Sequence, residues 1–229
     1  MSAIDLGYVL HARPWRETST LLTVFCREAG RAALLAKGVR RRRGRALEPF
    51  CLFEFAFGGR GELKTLRSAE ILEVRPLAGE PLFLGLYANE LLVRTVREGQ
   101  SYPPLFDRYH HFLRALEDPT ADREALLRSF EFCLLEQLGY GFSLEVDAEG
   151  RALVAEGWYR FEPQRGLVAA FRTESAFPGR HLLAIAAMDF RESEVRRAAK
   201  RLLRQALAPL LGTRPLVSRE LYRALRGGA

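Results

Sequence analysis

The sequence predicts an α+β protein in which a small β-barrel precedes a helical region. Segments rich in β-branched and aromatic residues fill roughly the first seventy positions. Near residue 80 the hydrophobic period changes to that of a helix, and a second short run of strand-forming residues follows within 143–177. We therefore expect a barrel domain over 1–77 and a helical domain over 78–229, with a β-ribbon inserted at about 143–177.

The N-terminal domain is predicted to contain five short strands. Turn sequences such as Glu28-Ala29-Gly30 and Gly58–Gly61 separate strand-forming segments. The predicted strands are Tyr8–His11, Leu21–Phe25, Ala32–Ala36, Phe50–Phe57 and Glu62–Ser68. Their number and length favour a closed barrel of the OB type, although a five-stranded SH3-like barrel would give a similar pattern.

The fourth predicted strand is unusually aromatic. It contains Phe50, Phe53, Phe55 and Phe57. Phenylalanines beside a basic loop could stack on nucleic-acid bases, but their regular alternation favours a place in the hydrophobic core.

The helical domain begins with three predicted helices. The first runs through Leu84 to Gly99, the second opens at Pro103, and the third covers Glu124–Leu138. Asp122 is predicted to cap the third helix and Gly139 to end it. These three segments are typical of a small helical bundle.

The rest of the chain is predicted to contain the ribbon and three further helices. Trp158–Phe161 and Gly166–Phe171 suggest a hairpin, and Gly179–Ala187 has helical character. Ser193 is a predicted cap for a helix over Glu194–Leu211, and Ser218 for a last short helix.

The basic charge of the chain is concentrated between residues 31 and 45. This window holds seven of the 35 Lys and Arg residues and none of the 28 Asp and Glu residues, so the remainder is formally neutral. Its basic residues are Arg31, Lys37, Arg40, Arg41, Arg42, Arg43 and Arg45. Guanidinium groups bind phosphates in a planar fork, and each neutralised phosphate releases counterions. The window therefore predicts contact with a polyanion, and Lys64 and Arg67 on the adjoining strand are expected to extend the same track.

A second basic stretch lies on the helix predicted over Glu194–Leu211. Arg197, Lys200, Arg201 and Arg204 recur at helical spacing and share one face. This face predicts a second contact with DNA or RNA, although a solvated cationic face without a ligand would show the same pattern.

Patterns for catalysis and for metal binding are largely absent from the sequence. It contains no GxxxxGK[ST], no GxSxG and no HExxH, and its aspartates are scattered. Cys26, Cys51 and Cys133 are too widely spaced for a disulfide framework or a CxxC zinc site. We expect a non-enzymatic binding protein without a cofactor. Because neither a signal peptide nor a membrane span is recognisable, we also expect a cytoplasmic location without membrane partners.

Six groups of residues carry a family likeness. They are Val9–Ser19, Gly30-Arg31 with Ala36–Arg40, Gly58–Glu70, Asn89–Leu92, Phe130-Glu131 with Leu138–Gly141, and Gly212–Leu221. The single motifs are short, but they follow one another in the right order over nearly the whole chain. Because these groups occur in this order, the chain resembles the RecO family of recombination mediators.

The resemblance implies a role in DNA repair and homologous recombination. It implies binding to single- and double-stranded DNA, annealing of complementary strands, and a location at the nucleoid. With RecR as a partner, such a protein helps to load recombinase onto single strands coated by single-strand binding protein (SSB). Many members carry four zinc-binding cysteines in the region matching about 145–170, where this chain has none. It therefore resembles the zinc-free, proteobacterial-type branch, and no metal is predicted.

The same resemblance implies a site for the C-terminal tail of SSB. In the zinc-free branch, an arginine at the place matching Arg128 helps to receive this acidic tail, which ends in phenylalanine. Leu127, Phe112 and Leu116 are expected to line an apolar slot for that phenylalanine. Without the resemblance, Arg128 reads as a surface arginine paired with Glu124 or Glu131.

Two other functions stay open at the level of sequence. An RNA- or ribosome-binding OB protein would prefer RNA to single-stranded DNA of equal length. A scaffold that holds RecR or another partner would show no DNA binding at moderate salt.

Overall fold

The computed structural model describes residues 2–37 and 47–227. The chain divides into two compact units. The first unit combines Met1–Pro119 with the C-terminal segment Arg214–Ala229, and the second spans Thr120–Thr213.

The first unit is built on a closed five-stranded barrel. Its strands are β1 (Ser2–Trp15), β2 (Ser19–Cys26), β3 (Gly30–Ala36), β4 (Leu52–Gly58) and β5 (Leu63–Glu73). They follow the order β1-β2-β3-β5-β4, and β4 closes the barrel by pairing with β1. The β3–β5 pair is parallel, whereas the other pairs are antiparallel. Because β5 lies between β3 and β4, the barrel is not a simple meander, and the predicted OB-type fold is confirmed.

The barrel core consists of side chains that alternate along the strands. Phe53, Phe55 and Phe57 are at most 4% exposed, and the rings of Phe53 and Phe55 lie 5.1 Å apart. Leu34 of β3 joins the same cluster. Phe50 is also buried, and its ring lies against Gly85, where a Cβ atom would approach to 2.7 Å. The prediction that these four phenylalanines belong to the core is confirmed.

The remaining elements are six helices and a small sheet among the described residues. They are α1 (Gly79–Thr95), α2 (Pro103–Ala115), α3 (Arg123–Gln137), β6 (Trp158–Glu162), β7 (Gly166–Ala169), β8 (Phe177–Pro178), α4 (Gly179–Ala186), α5 (Ser193–Leu211) and α6 (Val217–Gly227). Strand β6 lies between β7 and β8. The predicted ribbon is therefore present, and β8 adds a third strand to it.

Helix α2 packs on the barrel through aromatic side chains. Tyr8 of β1 contacts Tyr109 edge to face, with ring centroids 5.2 Å apart. Phe25 of β2 contacts Phe106, with centroids 5.7 Å apart. Aromatic pairs of this kind contribute about 1 kcal/mol beyond the apolar area that they bury. These contacts explain why α2 belongs to the same compact unit as the barrel.

Helix α1 is joined to the barrel by a buried asparagine. The register between β1 and β2 skips Leu10, which is therefore the extra residue of a β-bulge. The carbonyl of Leu10 accepts a hydrogen bond from the side-chain amide of Asn89, 3.2 Å away, and Asn89 in turn accepts one from the hydroxyl of Tyr109. Helices α1 and α2 thus belong to the unit of the barrel, and α3 belongs to the other. The three predicted helices are divided between two units, and the domain boundary at residue 77 stays a prediction.

The second unit has its own core between the small sheet and helices α4 and α5. Tyr159 and Phe177 contribute from the sheet, and Leu182, Ile185 and Leu202 from the helices, each at most 5% exposed. The hydroxyl of Tyr159 accepts a hydrogen bond from the backbone N–H of Val154 at 2.9 Å. Apolar packing therefore stabilises the ribbon.

Two of the predicted helix ends are confirmed. The Asp122 carboxylate accepts hydrogen bonds from the backbone N–H groups of Glu124 and Ala125, so it caps α3. Gly139 has φ +79°, and Tyr140 donates its N–H to the carbonyl of Leu135. Together with the bond from Gly139 to Glu136, this is the glycine-dependent Schellman end of a helix.

Two predicted caps are wrong. The N-terminal cap position of α5 is Glu192, and Ser193 instead donates its hydroxyl to Glu194. Helix α6 begins at Val217, one residue before the predicted cap Ser218. A carboxylate from another helix satisfies its first N–H groups, because Glu90 of α1 accepts hydrogen bonds from the backbone of Val217 and Ser218 and from the Ser218 hydroxyl. A local pattern cannot show a cap supplied from such a distance in sequence.

Candidate nucleic-acid interface

The described part of the basic window begins on β3. Arg31 is the second residue of this strand, and Lys37 directly follows its last residue. The rest of the window lies outside the described residues, so the DNA-binding role of the following arginines stays a prediction: Arg40, Arg41, Arg42, Arg43 and Arg45. Lys64 and Arg67 lie on β5, the parallel neighbour of β3.

The strand register brings Lys37 and Arg67 to the same end of the barrel. Leu35 of β3 pairs with Thr65 of β5, and the two strands run in the same direction. Lys37 and Arg67 each lie two residues beyond this pair, and both are exposed. Neighbouring strands are separated by about 4.8 Å, so two cations here are close enough to contact one phosphate backbone. We call this part of the molecule, defined by Lys37 and Arg67, the barrel end.

A β-bulge places the Arg67 side chain on the surface. The register between β4 and β5 passes from Ala56–Ser68 to Phe57–Leu66, so Arg67 is the extra residue. A bulge lets one residue leave the alternation between inward and outward side chains. Leu66 and Ala69 pack against the barrel core, whereas the two residues between them, Arg67 and Ser68, are both exposed.

In the part of the chain that the structure describes, the other two predicted barrel cations, Arg31 and Lys64, have partners within the protein. The Nε of Arg31 donates to the carbonyl of Val96 at 2.8 Å, and its guanidinium lies 3.7 Å from the Glu98 carboxylate. The ammonium of Lys64 lies 3.4 Å from the carbonyl of Gly59 and is partly exposed. Arg31 therefore fixes β3 to the segment after α1, and a phosphate would have to compete with these bonds.

Close packing at the start of β3 supports this role of Arg31. Gly30 has φ +67°, and a Cβ atom there would lie 1.8 Å from the carbonyl oxygen of Gln100. The N–H of Gly99 also donates to the carbonyl of Arg31 at 2.9 Å. Only glycine satisfies both the backbone conformation and the short approach at position 30.

The predicted basic face of α5 contains two exposed cations that form no ion pair with any residue in 2–37 or 47–224. Arg197 is exposed but forms an ion pair with Glu194, one turn earlier. Lys200 and Arg204 are exposed, and neither forms an ion pair with another described residue. Lys200 and Arg204 are thus the members of this face that are available to a phosphate.

Arg201, on the same helix, is engaged in the structure of the second unit. Its guanidinium donates to the carbonyls of Glu174 and Ala176, both at 2.6 Å, and lies 4.1 Å from the ring centroid of Phe177. Burial lowers the pKa of Arg201 from its usual value. To contact a phosphate, this side chain would have to give up the bonds that hold the loop before β8.

Arg128 is buried on α3 between two carboxylates. It is 5% exposed, its Nε donates to Glu124 at 2.8 Å, and its guanidinium also pairs with Glu131. The expected pairing with Glu124 or Glu131 is confirmed for both partners, but the expectation of a surface position is wrong. The side chain is held inside because Glu131, which is 1% exposed, needs a cation as its partner.

The apolar residues predicted for the SSB tail are also buried. Phe112, Leu116 and Leu127 are between 1% and 7% exposed. Phe112 and Leu116 belong to the first compact unit, and Leu127 and Arg128 belong to the second. A tail site made of these four residues stays a prediction.

The sequence reasoning missed an exposed tryptophan near the barrel end. Trp15, the last residue of β1, is 38% exposed, and the guanidinium carbon of Arg13 lies 5.9 Å from its ring centroid. The signal was present as Arg13-Pro14-Trp15-Arg16, an aromatic residue between arginines.

The described residues show no sign of a metal site, of a reactive thiol at Cys26 or of a membrane-spanning helix. Within residues 2–37 and 47–224, no three His, Cys, Asp or Glu side chains are grouped so that they could hold a metal ion. Burial raises the pKa of the Cys26 thiol well above its usual value, which disfavours the reactive thiolate. None of the described helices combines the length and the apolar character that a membrane crossing requires.

Comparison with known proteins identifies the family. The family model "Recombination protein O N terminal" matches residues 1–75, and "Recombination protein O C terminal" matches residues 78–220. The DNA repair protein RecO of Enterobacter sp. (strain 638) is 44% identical over 229 residues, covering 97% of both chains. The protein of the same name from Klebsiella pneumoniae (strain 342) is also 44% identical, covering 97% of this chain and 94% of its own.

The chain belongs to the RecO family. The resemblance inferred from six short groups of residues is thereby confirmed. Membership of the RecO family indicates a role in DNA repair and recombination. The five barrel strands lie within the match with the N-terminal RecO model.

Proposed function

We propose that this chain is a non-enzymatic recombination mediator that binds single- and double-stranded DNA and anneals complementary strands. With RecR, it helps to load recombinase onto single strands coated by SSB. The observation that carries the proposal is the barrel end, where Lys37 and Arg67 lie side by side on a RecO-type OB barrel. The proposal places the activity in the cytoplasm at the nucleoid.

The charge pattern of the barrel end suits a phosphate backbone. Lys37 immediately precedes the arginine-rich part of the sequence, and Arg67 is exposed at the bulge of β5. Each phosphate contact with a cation releases counterions, so affinity falls linearly with the logarithm of salt concentration. Exposed Lys200 and Arg204 on α5 are proposed as a second, weaker contact, because Glu194 on the same helix reduces the local positive potential.

Annealing follows from charge neutralisation. Two single strands repel each other through their phosphates, and a protein that covers one backbone with cations reduces this repulsion. The step forms no covalent bond and uses no nucleotide, so it requires no catalytic group. The bases stay available for pairing if the contacts are made mainly to phosphates.

A site for the SSB tail around Arg128 remains part of the proposal, but the buried ion pairs impose a condition on it. A tail carboxylate must replace Glu124 or Glu131 as the partner of Arg128. Glu124 is the easier one to replace, because its side chain is 27% exposed whereas that of Glu131 is 1% exposed. The proposed tail carboxylate therefore takes the place of Glu124, while Glu131 stays paired.

The DNA part of the proposal is tested with labelled DNA and RNA strands of equal length and sequence. Fluorescence anisotropy is expected to show binding to single- and double-stranded DNA that weakens steeply with salt. Mixing complementary strands is expected to give faster duplex formation with the protein than without it. Tighter binding to RNA would support an RNA-binding protein instead, and absence of binding at low salt would contradict the proposal.

The SSB part is tested with a labelled peptide that copies the SSB tail. Glu124→Gln is expected to strengthen peptide binding, because it weakens the competitor for Arg128 and leaves Glu131 in place. Arg128→Ala is expected to abolish binding. The matched control is Glu136→Gln, which removes an exposed carboxylate farther along the same helix. Equal effects of Glu124→Gln and Glu136→Gln would contradict a tail site at Arg128.

A further inference from the structure

The hairpin between β1 and β2 presents an aromatic residue to solvent. Trp15 pairs with Ser19 as the last pair before the turn, and all residues from His11 to Glu17 are exposed. More than a third of the Trp15 surface is in contact with water. Burial of a side chain of this size would stabilise the fold, so packing alone does not account for a tryptophan at this position.

Arg13 contacts this tryptophan, and Arg16 follows it in sequence. The guanidinium of Arg13, two residues earlier on the same strand, lies over the ring at 5.9 Å from the centroid. Arg16 begins the turn in the left-handed region at φ +54° and is exposed. An exposed aromatic ring with one guanidinium over it and a second arginine next in sequence combines a surface for stacking with charges for the adjacent phosphates.

The strand register relates this hairpin to the barrel end. Thr20 of β2 pairs with Ala36 of β3, so the turn of the hairpin and Lys37 lie at the same end of neighbouring strands. Arg67 follows on the next strand, β5. Trp15 therefore lies at the end of the sheet where the available cations of the barrel are found.

We infer that Trp15 stacks on an unpaired nucleobase of single-stranded DNA while Arg13, Arg16 and Lys37 contact the flanking phosphates. This inference rests on the proposed DNA binding and assigns the base contact to one residue. Bases in a duplex have their faces covered by neighbouring pairs, so the contact is specific for single strands. By sequence-independent stacking, Trp15 gives the barrel a preference for unpaired DNA without a preference for a base.

The chain offers a direct spectroscopic test because it has two tryptophans, Trp15 and Trp158. In the Trp158→Phe variant, all tryptophan fluorescence comes from Trp15. Titration with an oligothymidylate is expected to quench this emission in parallel with the rise in anisotropy of the labelled strand. The matched control is Trp15→Phe, where the remaining Trp158 lies in the second unit under Arg172, 5.3 Å from its ring. Its emission is expected to stay unchanged.

An abasic strand of the same length separates base contacts from phosphate contacts. We expect this strand to bind Trp158→Phe without quenching Trp15. Binding of oligothymidylate that leaves the Trp15 emission unchanged, or equal quenching by the abasic strand, would overturn the stacking inference but not the proposed function. If no DNA binds at low salt, both fail.

The affinity of Trp15→Ala provides a second measurement. Stacking of one base contributes enough to change affinity about tenfold, so Trp15→Ala is expected to weaken binding of single-stranded DNA by about this factor. Trp15→Phe is expected to retain most of the affinity for single-stranded DNA. The affinity for duplex DNA should be the same for wild type, Trp15→Ala and Trp15→Phe. Equal losses for single and double strands at an unchanged thermal midpoint would overturn the inference.

Discussion

The barrel end and the helices of the second unit use the same residue types in opposite ways. At the barrel end, Lys37 and Arg67 are exposed, and a bulge places Arg67 outside the sheet alternation. In the second unit, Arg128 is buried between two glutamates and Arg201 is bound to two carbonyls and an aromatic ring. The number of cations on an element therefore does not measure how many can bind a polyanion.

This difference has a physical origin in the cost of leaving a charge without a partner inside the protein. A guanidinium that enters the interior must be matched by acceptors, and once matched it is removed from the pool that binds DNA. Arg31 shows the intermediate case, because it is only partly exposed and already donates to Val96. We therefore expect substitutions of Arg128 and Arg201 to change stability, and substitutions at the barrel end to change DNA affinity.

The largest expected effect is on stability at Arg128. Arg128→Ala leaves Glu131 buried without its cation, and loss of one member of a buried pair costs about 3 kcal/mol. Arg67→Ala removes the same residue type from the surface, and its unfolding free energy should stay within about 0.5 kcal/mol of wild type. Urea unfolding of both variants measures the difference. Equal stabilities would mean that burial of Arg128 is not what distinguishes the two arginines.

A smaller effect is expected at Arg201, one residue away from an exposed lysine. Arg201→Ala removes two charge-assisted hydrogen bonds and the contact with Phe177, which together should lower stability by about 2 kcal/mol. Arg201→Lys should not restore it, because one ammonium cannot reproduce the planar guanidinium over the ring. Lys200→Ala is the matched control and should unfold like wild type. Thermal unfolding of the three variants decides whether Arg201 is a structural residue.

The smallest expected effect concerns an acidic residue and its dependence on pH. Burial raises the pKa of Glu90, but hydrogen bonds from Ser218 and Val217 outweigh burial, so the pKa lies below its usual value. The stabilisation by Glu90 is therefore present above the pKa of an unfolded glutamate, about 4.3, and is lost as pH falls through the lower folded value. Glu90→Gln should lower stability by about 1 kcal/mol near neutral pH and by less in acid.

Glu90→Gln also tests whether DNA binding depends on total charge. The substitution raises the net charge of the chain by one without changing the barrel end. We expect its affinity for single-stranded DNA to equal that of wild type. An increase comparable to the loss caused by removal of one barrel-end cation would mean that affinity follows the overall charge.

Much of the fold could be predicted from sequence because its signals are local. Alternation marked the barrel strands, a change of period marked the helices, and Asp122 and Gly139 marked the ends of α3. The features that could not be predicted depend on residues that are distant in sequence. The cap of α6 comes from Glu90. The attachment of α1 to the barrel depends on Asn89, and that of α2 depends on aromatic pairs between this helix and strands β1 and β2.

The candidate site was harder to predict because availability is a property of three-dimensional contacts. The sequence predicts a nucleic-acid contact for Arg31, Arg67 and Arg201 alike. Only the structure shows that Arg31 and Arg201 have backbone acceptors, whereas Arg67 occupies a bulge. Trp15 was missed because the first predicted strand ends at His11, whereas β1 continues to Trp15 and leaves this residue exposed at the end of a hairpin.

The most direct test of this account is the salt dependence of single-stranded DNA binding for two charge-matched double variants. One is Lys37→Ala with Arg67→Ala at the barrel end, and the other is Lys200→Ala with Arg204→Ala on α5. Each lost phosphate contact on a single strand lowers the slope of log affinity against log salt by about 0.7. We predict a fall of about 1.4 for the barrel-end variant and a clearly smaller change for the α5 variant. Equal falls, or a larger one for the α5 variant, would contradict the assignment of the main DNA contact to the barrel end.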